Sequence, residues 1–194
     1  MVSSKRRSSF GRRNQKMTDE KIMVKGVFIN STLDEIQKKG SEKEIESLKE
    51  KIGSLKLSPF KSYPVFIQKE AERALCQILY GHDDENANFE FGKKSFRSFA
   101  ESNIGKVMLA LFGKDSKALV CNIERLYNTV TSGIEIEVKE LEEKKYSVRF
   151  YNDPYDLRGT EGVLAGGLEY LGIDANVKFI NHGKNDHEFI LKWA

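Results

Sequence analysis

The chain is poor in the residues that carry most catalytic and metal chemistry. It holds two cysteines and three histidines among 194 residues. Cys76 and Cys121 stand far apart with no metal-type spacing, so a thiolate cluster and a disulfide framework are both excluded, and free thiols are expected. No apolar run approaches the roughly 20 residues that a bilayer-crossing helix needs. The amino terminus is basic, but Lys5-Arg6-Arg7 is followed by Ser8-Ser9-Phe10-Gly11-Arg12-Arg13 rather than by an apolar stretch, which excludes a secretory signal. A cytoplasmic location follows as an expectation. Also missing are a Ser/His/Asp order, a Cys/His pair and a glycine loop of the G-x-G-x-x-G kind, which leaves no reaction written in the sequence.

Acidic residues are absent from the start of the chain. The formal net charge is +3, yet residues 1–16 hold six basic residues (Lys5, Arg6, Arg7, Arg12, Arg13 and Lys16) and no acidic one, leaving 26 basic against 29 acidic residues beyond them. A nucleic-acid-binding fold carries its basic stripe on the fold itself, and here only the tail is basic. Residues 1–20 are polar and serine-rich, too poor in apolar surface to offset ordering entropy, and are expected to be a disordered basic tail before a single domain over residues 21–194. Contacts through Arg6, Arg7, Arg12 and Arg13 to a lipid surface or nucleic acid, a docking peptide, phosphorylation at Ser8 or Ser9, and a true start at Met17 or Met23 are the readings of that tail.

What is present is a clear alternation of periods. Residues 22–29 read as a first strand, and Asn30-Ser31 as the cap of a short helix over 32–39 closed by Gly40. Ser41 and Glu44 form a capping box for a helix with Ile45, Leu48 and Ile52 on one face, ending at Gly53. Pro64 opens a helix to about Tyr80, and His82-Asp83-Asp84 separates it from another over 85–102. Ile104, Val107, Met108, Leu111 and Phe112 recur at helical spacing, as do Leu119, Ile123, Leu126 and Tyr127 after Gly113-Lys114-Asp115. Strand periodicity then takes over: Ile134, Ile136 and Val138, a turn at Glu142-Glu143-Lys144, and Tyr146, Val148 and Phe150. Asn152-Asp153-Pro154 stops that strand. A glycine-laced helix and a closing hairpin, with Val177, Phe179, Phe189, Leu191 and Trp193 on one face, complete the chain. Helices in the middle and antiparallel strands at the end indicate an α+β fold, a helical layer on a four- to five-stranded antiparallel sheet. Gly162 and Gly166 predict tight helix–sheet packing rather than a phosphate cradle.

The run G-x-x-x-G-G-L-E-Y-L-G-I-x-A-x-V from Gly162 to Val177, the closing D-H-E-F-I-L-K-W, the segment Phe91 to Asp115 and the opening V-K-G-V-F-I carry a resemblance. Together they resemble a family of unknown function, expanded in myxobacteria, within the superfamily of 4-vinyl-reductase-type domains, heme-NO-binding domains and TRAPP vesicle-tethering subunits. The resemblance implies a helical layer on an antiparallel sheet with an apolar pocket between them. Members bind heme, another apolar or aromatic molecule or an acyl chain, or act as assembly subunits. Heme-NO-binding domains use an axial histidine and a Y-x-S-x-R motif. Here Tyr146-Ser147-x-Arg149 is one residue short, and His82, His182 and His187 lie in a loop and around the last hairpin. No cofactor, heme included, is therefore expected.

Four sets of residues invite chemistry. His182, Asp186 and His187 have a zinc-compatible set of side chains but read first as a hairpin turn. Glu135 and Glu137 face Lys145 and Arg149 and read as cross-strand charge pairs. Cys76 and Cys121 are candidates for acylation and read as core-edge thiols. Tyr151, Tyr155 and Arg158, around Pro154, form the expected ligand- or partner-binding site, with Arg158 alternatively paired to Asp153 or Asp156. The leading expectation is a non-enzymatic regulatory or adaptor domain that binds a small apolar or anionic molecule or a protein partner, a second copy of itself among them. The alternatives are a small enzyme acting on an anionic substrate near Arg149, Tyr151, Tyr155 and Arg158, and tethering to membrane or nucleic acid by the tail.

Overall fold

The computed structural model describes residues 21–111 and 115–194. The tail contacts at Arg6, Arg7, Arg12 and Arg13, and the helix-stripe member Phe112, lie outside the described residues. The chain divides into two compact units, one of residues up to Leu75 with Val130–Gly133, the other of Cys76–Thr129 with Ile134–Ala194.

In the first unit, β1 (Met23–Lys25) lies between β2 (Ser62–Pro64) and β3 (Thr131–Ser132) in a small antiparallel sheet. The expected strand over 22–29 ends at Lys25, because helix α1 (Gly26–Lys39) starts there. The β-branched residues at 24, 27 and 29 favour a strand locally, but Ile29, Leu33 and Ile36 are fully buried at helical spacing, and tertiary burial outweighs propensity. Asn30 therefore caps nothing. Its amide sits inside α1, donating to the Leu57 carbonyl at 2.8 Å and accepting from the Leu57 N–H at 3.0 Å. Gly26 permits the start of this helix, since a Cβ there would lie 2.2 Å from the Ser58 carbonyl oxygen. Helix α2 (Glu42–Ile52) carries the expected capping box: Ser41 Oγ accepts from the Glu44 N–H, and the Glu44 carboxylate accepts from the Ser41 N–H at 2.8 Å.

Helix α3 (Val65–Tyr80) leads the chain onward. In the second unit α4 (Glu85–Glu101), capped by Asp84, α5 (Asn103–Ala110), capped by Ser102, α6 (Ser116–Cys121) and α7 (Ile123–Val130) precede the main sheet. That sheet is antiparallel, in the order β4 (Glu135–Glu142), β5 (Lys145–Tyr151), β7 (Asp186–Trp193), β6 (Ala175–Gly183). Its apolar face carries the buried Ile136, Tyr146, Val148, Phe150, Phe189 and Leu191. The Tyr127 ring of α7 meets Phe150 edge-on at 5.2 Å, and Trp193 stacks on Tyr146 at 5.4 Å.

The glycines of α8 (Leu157–Tyr170) do pack closely, but against a helix rather than against the sheet. A Cβ on Gly162 would lie 2.1 Å from the Phe89 carbonyl oxygen, and one on Gly92 would lie 2.1 Å from the Gly159 carbonyl oxygen. Helices α4 and α8 thus touch backbone to backbone, reciprocally. The α5 stripe also differs from a simple core face. Gly105, which presses on the Phe99 carbonyl, and Leu109 turn inward, so Ile104, Val107 and Leu111 are exposed.

Gly162→Ala tests this contact. Alanine gains about 1 kcal/mol of helix propensity, but a backbone carbonyl cannot rotate away from the new methyl. A net loss on the order of 3 kcal/mol is expected, read as a lower urea midpoint. Gly183→Ala, where a Cβ meets nothing within 4 Å, should leave the midpoint unchanged. Equal midpoints for both variants would mean that the two backbones are not pressed together.

Candidate functional site

The connection from β5 to α8 is built by two aspartates. Asn152 takes a left-handed φ of 60°, and Asp153 follows it, fully buried. The Asp153 carboxylate accepts from the Tyr155 N–H at 3.1 Å and from Thr160 Oγ1 at 2.9 Å, tying the loop to the helix it precedes. Asp156 caps α8, its Oδ1 accepting from the N–H groups of Arg158 at 2.9 Å and Gly159 at 3.3 Å. Both carboxylates therefore shape the backbone. The guanidinium of Arg158 is engaged by Glu161 one turn along, and lies over the Phe89 ring at 4.9 Å. Burial raises the Glu161 pKa against the pull of Arg158.

Tyr151 belongs to a different group of side chains. It shares the polar outer face of the sheet with Ser147 and Arg149, and its hydroxyl donates to Glu137 at 3.1 Å. The Arg149 guanidinium lies 4.8 Å from the Tyr151 ring centroid and grips Asp186 with two parallel bonds of 2.9 and 2.8 Å. Ser147 Oγ donates to Glu188 at 2.6 Å, and His182 Nε2 lies 2.7 Å from the other oxygen of that carboxylate. Glu137 also pairs with Lys139 at 2.9 Å. Glu137 does lie opposite Arg149 and is acted on by its charge, although the guanidinium takes Asp186 as its bidentate partner, whereas Glu135 lies opposite Tyr151 and Lys145 opposite Glu142. These bonds set the titration. Arg149 holds Asp186 below the usual carboxylate range, Ser147 and then His182 do the same for Glu188, and Lys139 and then Tyr151 for Glu137. Burial, reinforced by Glu137, raises the Tyr151 phenol. Of the sequence-derived trio, Tyr151 thus engages the outer-face network, Arg158 engages Glu161 and Phe89, and Tyr155 is half-buried in the loop between them.

The three histidines separate as well. His82 is exposed beside Asp84, His182 is bonded to Glu188, and His187 is only 4% exposed on the apolar face. Among the described residues no group of three His, Cys, Asp or Glu side chains is placed to hold a metal ion. His187 lies in register opposite Phe150, on the side of Phe189 and Leu191, and its Nδ1 has no hydrogen-bond partner. Burial pushes its pKa below 6.5, with Asp186 and Asp156 pulling weakly the other way. The parity that places His187 with Phe189 and Leu191 was visible in the sequence. What was not visible is that no neighbour answers its second nitrogen. Of the cysteines, Cys76 is buried with its thiol 3.7 Å from Asn88 Oδ1, whereas Cys121 is exposed rather than at the core edge. An open hollow of about 460 Å³ at one end of the sheet is lined by Asp174, Ala175, Asn176, Lys192, Trp193 and Ala194, none of them a sequence candidate.

Comparison with known proteins places this geometry. The model of the family described as "Protein of unknown function (DUF2378)" matches residues 18–194. No curated protein matches the chain in sequence. Among solved structures, the Fe(II) unliganded H-NOX protein from K. algicida aligns over 88% of this chain and 96% of its own, at 12% identity and a TM-score of 0.67. An H-NOX protein from S. oneidensis in the Fe(II)NO ligation state aligns over 88% and 99%, at 15% identity and a TM-score of 0.65. A structure described as probing heme distortion in the H-NOX family aligns over 87% and 94%, at 10% identity and a TM-score of 0.65. The fold is H-NOX-like.

These neighbours overturn the expectation of no cofactor. Solved structures that share this fold are described with iron and with heme, which stands against an expectation of none. Heme iron takes a neutral imidazole as an axial ligand. His187 has that chemistry, being buried, held neutral and unpartnered at Nδ1.

The same side chain generates a pH prediction. Because its folded pKa lies below the unfolded value, folding favours the neutral form, and the stability so gained is full above about pH 6.5 and is lost as pH falls through the folded pKa. His187→Leu should therefore flatten the decline of the urea midpoint between about pH 7 and about pH 5, before carboxylates protonate. Parallel declines in the two proteins would remove His187 as the group responsible.

Proposed function

The chain belongs to the DUF2378 family of unknown function, and we propose that it is a non-enzymatic regulatory domain that senses a small molecule. The observation that carries this reading is His187: a buried imidazole with a free nitrogen, among the aromatic side chains of an H-NOX-like fold. A buried polar atom without a partner costs about 1–3 kcal/mol, and a ligand that answers it recovers that cost on binding. A flat, largely apolar molecule presenting a metal or a donor to Nδ1 would answer that nitrogen, and heme is the first candidate. Under this reading the protein works in the cytoplasm, consistent with the absence, among the described residues, of a helix long and apolar enough to cross a membrane. The wider kinship to 4-vinyl-reductase-type domains and TRAPP subunits belongs to the same proposal, with ligand occupancy passed on to a protein partner.

The enzymatic alternative is weakened by the same geometry. An anionic substrate at Arg149 would displace a bidentate carboxylate from Asp186, and one at Arg158 would displace Glu161. Guanidinium groups already neutralised in this way offer little attraction to a further anion.

Titration of the purified full chain with hemin tests the proposal. A saturable one-to-one complex with a sharp, shifted Soret band is expected, and His187→Leu should weaken it roughly tenfold or more with an unchanged circular dichroism spectrum. Absence of a saturable Soret change would remove heme as the ligand. Undiminished binding by the variant would remove His187 from the site.

A further inference from the structure

The two edges of the main sheet are built differently. β4 is guarded: it carries Glu135, Glu137, Lys139, Glu140 and Glu142, has a register shift between Glu140 and Glu142, and is bridged from α6 by Lys117, which bonds Glu140 at 2.7 Å. These are the usual means of stopping one sheet from pairing with another. β6 has few of them. Over nine residues it holds no acidic group and no proline, His182 is engaged by Glu188, and Lys178 is its one fully charged side chain. Its register with β7 is regular from Ala175 to Asn181, and its one shift lies at the end of the strand, between Asn181 and Gly183. Apolar side chains are exposed on both of its faces, Phe179 at 43% and Ile180 at 45%.

Phe179 also ends a row. Val138, Val148, Phe189 and Phe179 lie directly opposite one another across the four strands, and the first three places in that row are at least partly covered while the last is open. We propose that β6 is a self-pairing edge, through which two copies of this chain join their sheets antiparallel about a two-fold axis at Phe179. Phe179 is the midpoint of β6, and about it residues 177–181 pair regularly with their counterparts, short of the irregularity between Asn181 and Gly183. This register sets Phe179 across from Phe179 of the second copy and continues the apolar row through eight strands. Lys178 then lies opposite Ile180 of the second copy, where its aliphatic stem covers the exposed side chain and its ammonium reaches water. Asn176 lies opposite His182. No two like charges oppose. A two-fold axis at Lys178 would put lysine against lysine, and one at Ile180 would put Lys178 against His182, both disfavoured across a strand pair. Charge thus selects the register centred on Phe179. Aromatic cross-strand pairs and newly satisfied backbone groups supply the attraction. This inference stands independently of any ligand at His187.

Light scattering coupled to size exclusion, with the full chain, tests it. The wild type should be a dimer that dissociates on dilution, and Phe179→Glu, which sets carboxylate against carboxylate, should be monomeric with a native circular dichroism spectrum. Disulfide trapping decides the register even if that variant misfolds. In a Cys121→Ser background, Phe179→Cys should form a covalent dimer under mild oxidation, while Lys178→Cys, which would face Ile180, should not. A wild type monomeric up to millimolar concentration, a dimer that persists in folded Phe179→Glu, or equal trapping at the two positions would each overturn the proposal.

Discussion

The close approach of α4 and α8 is the constraint on which the second unit depends. Where Phe89 and Gly162, and Gly92 and Gly159, meet, main chain rests on main chain, with no side chain between them to yield. The position of α8 then follows from α4. Since α8 begins only six residues after β5 ends, the end of β5 is placed as well, and with it Asp153 and Tyr155. The apolar cluster of Phe96, Ala100, Leu109, Leu119 and Leu126, with Val163 and Leu171 against it, fills the space beside this contact. Packing of this kind tolerates little change in volume.

The polar groups of the sheet fall into two classes by face. On the outer face the central charges are answered by neighbours: Arg149 by Asp186, Glu188 by Ser147 and His182, Glu137 by Tyr151 and Lys139. Each pair is partly exposed, so each adds little to stability. On the inner face, His187 is a polar group among aromatic ones with one nitrogen unanswered. The contrast is what distinguishes a satisfied surface from a candidate binding position, and it depends on partners rather than on residue type.

Much of the fold was legible because its signals are local. The capping box at Ser41, the alternation at Tyr146, Val148 and Phe150, and the stop at Asn152-Asp153-Pro154 each operate within a few residues, and each appears where expected. The strand expected over 22–29 failed because Leu57 and Ser58, some thirty residues away, decide what Gly26 and Asn30 do. The glycines of α8 were read as close-packing residues, but the identity of their partner, α4, is a long-range fact. The candidate site was less legible still. Arg158 pairs forward to Glu161 where local spacing also offers Asp153 and Asp156, and the histidine positions point away from heme while solved structures that share the fold are described with it.

The guarded edge β4 has a consequence for how far any sheet made by this protein can grow. A strand pairing that is the same on both partners closes on itself, and a chain with two open edges would go on adding copies into a fibre. Here the charges of β4, its bulge and the Lys117 bridge make the far side unreceptive. Assembly through β6, as proposed, would therefore be finite. A protein can keep one adhesive edge without risk of polymerising, provided that the other refuses partners.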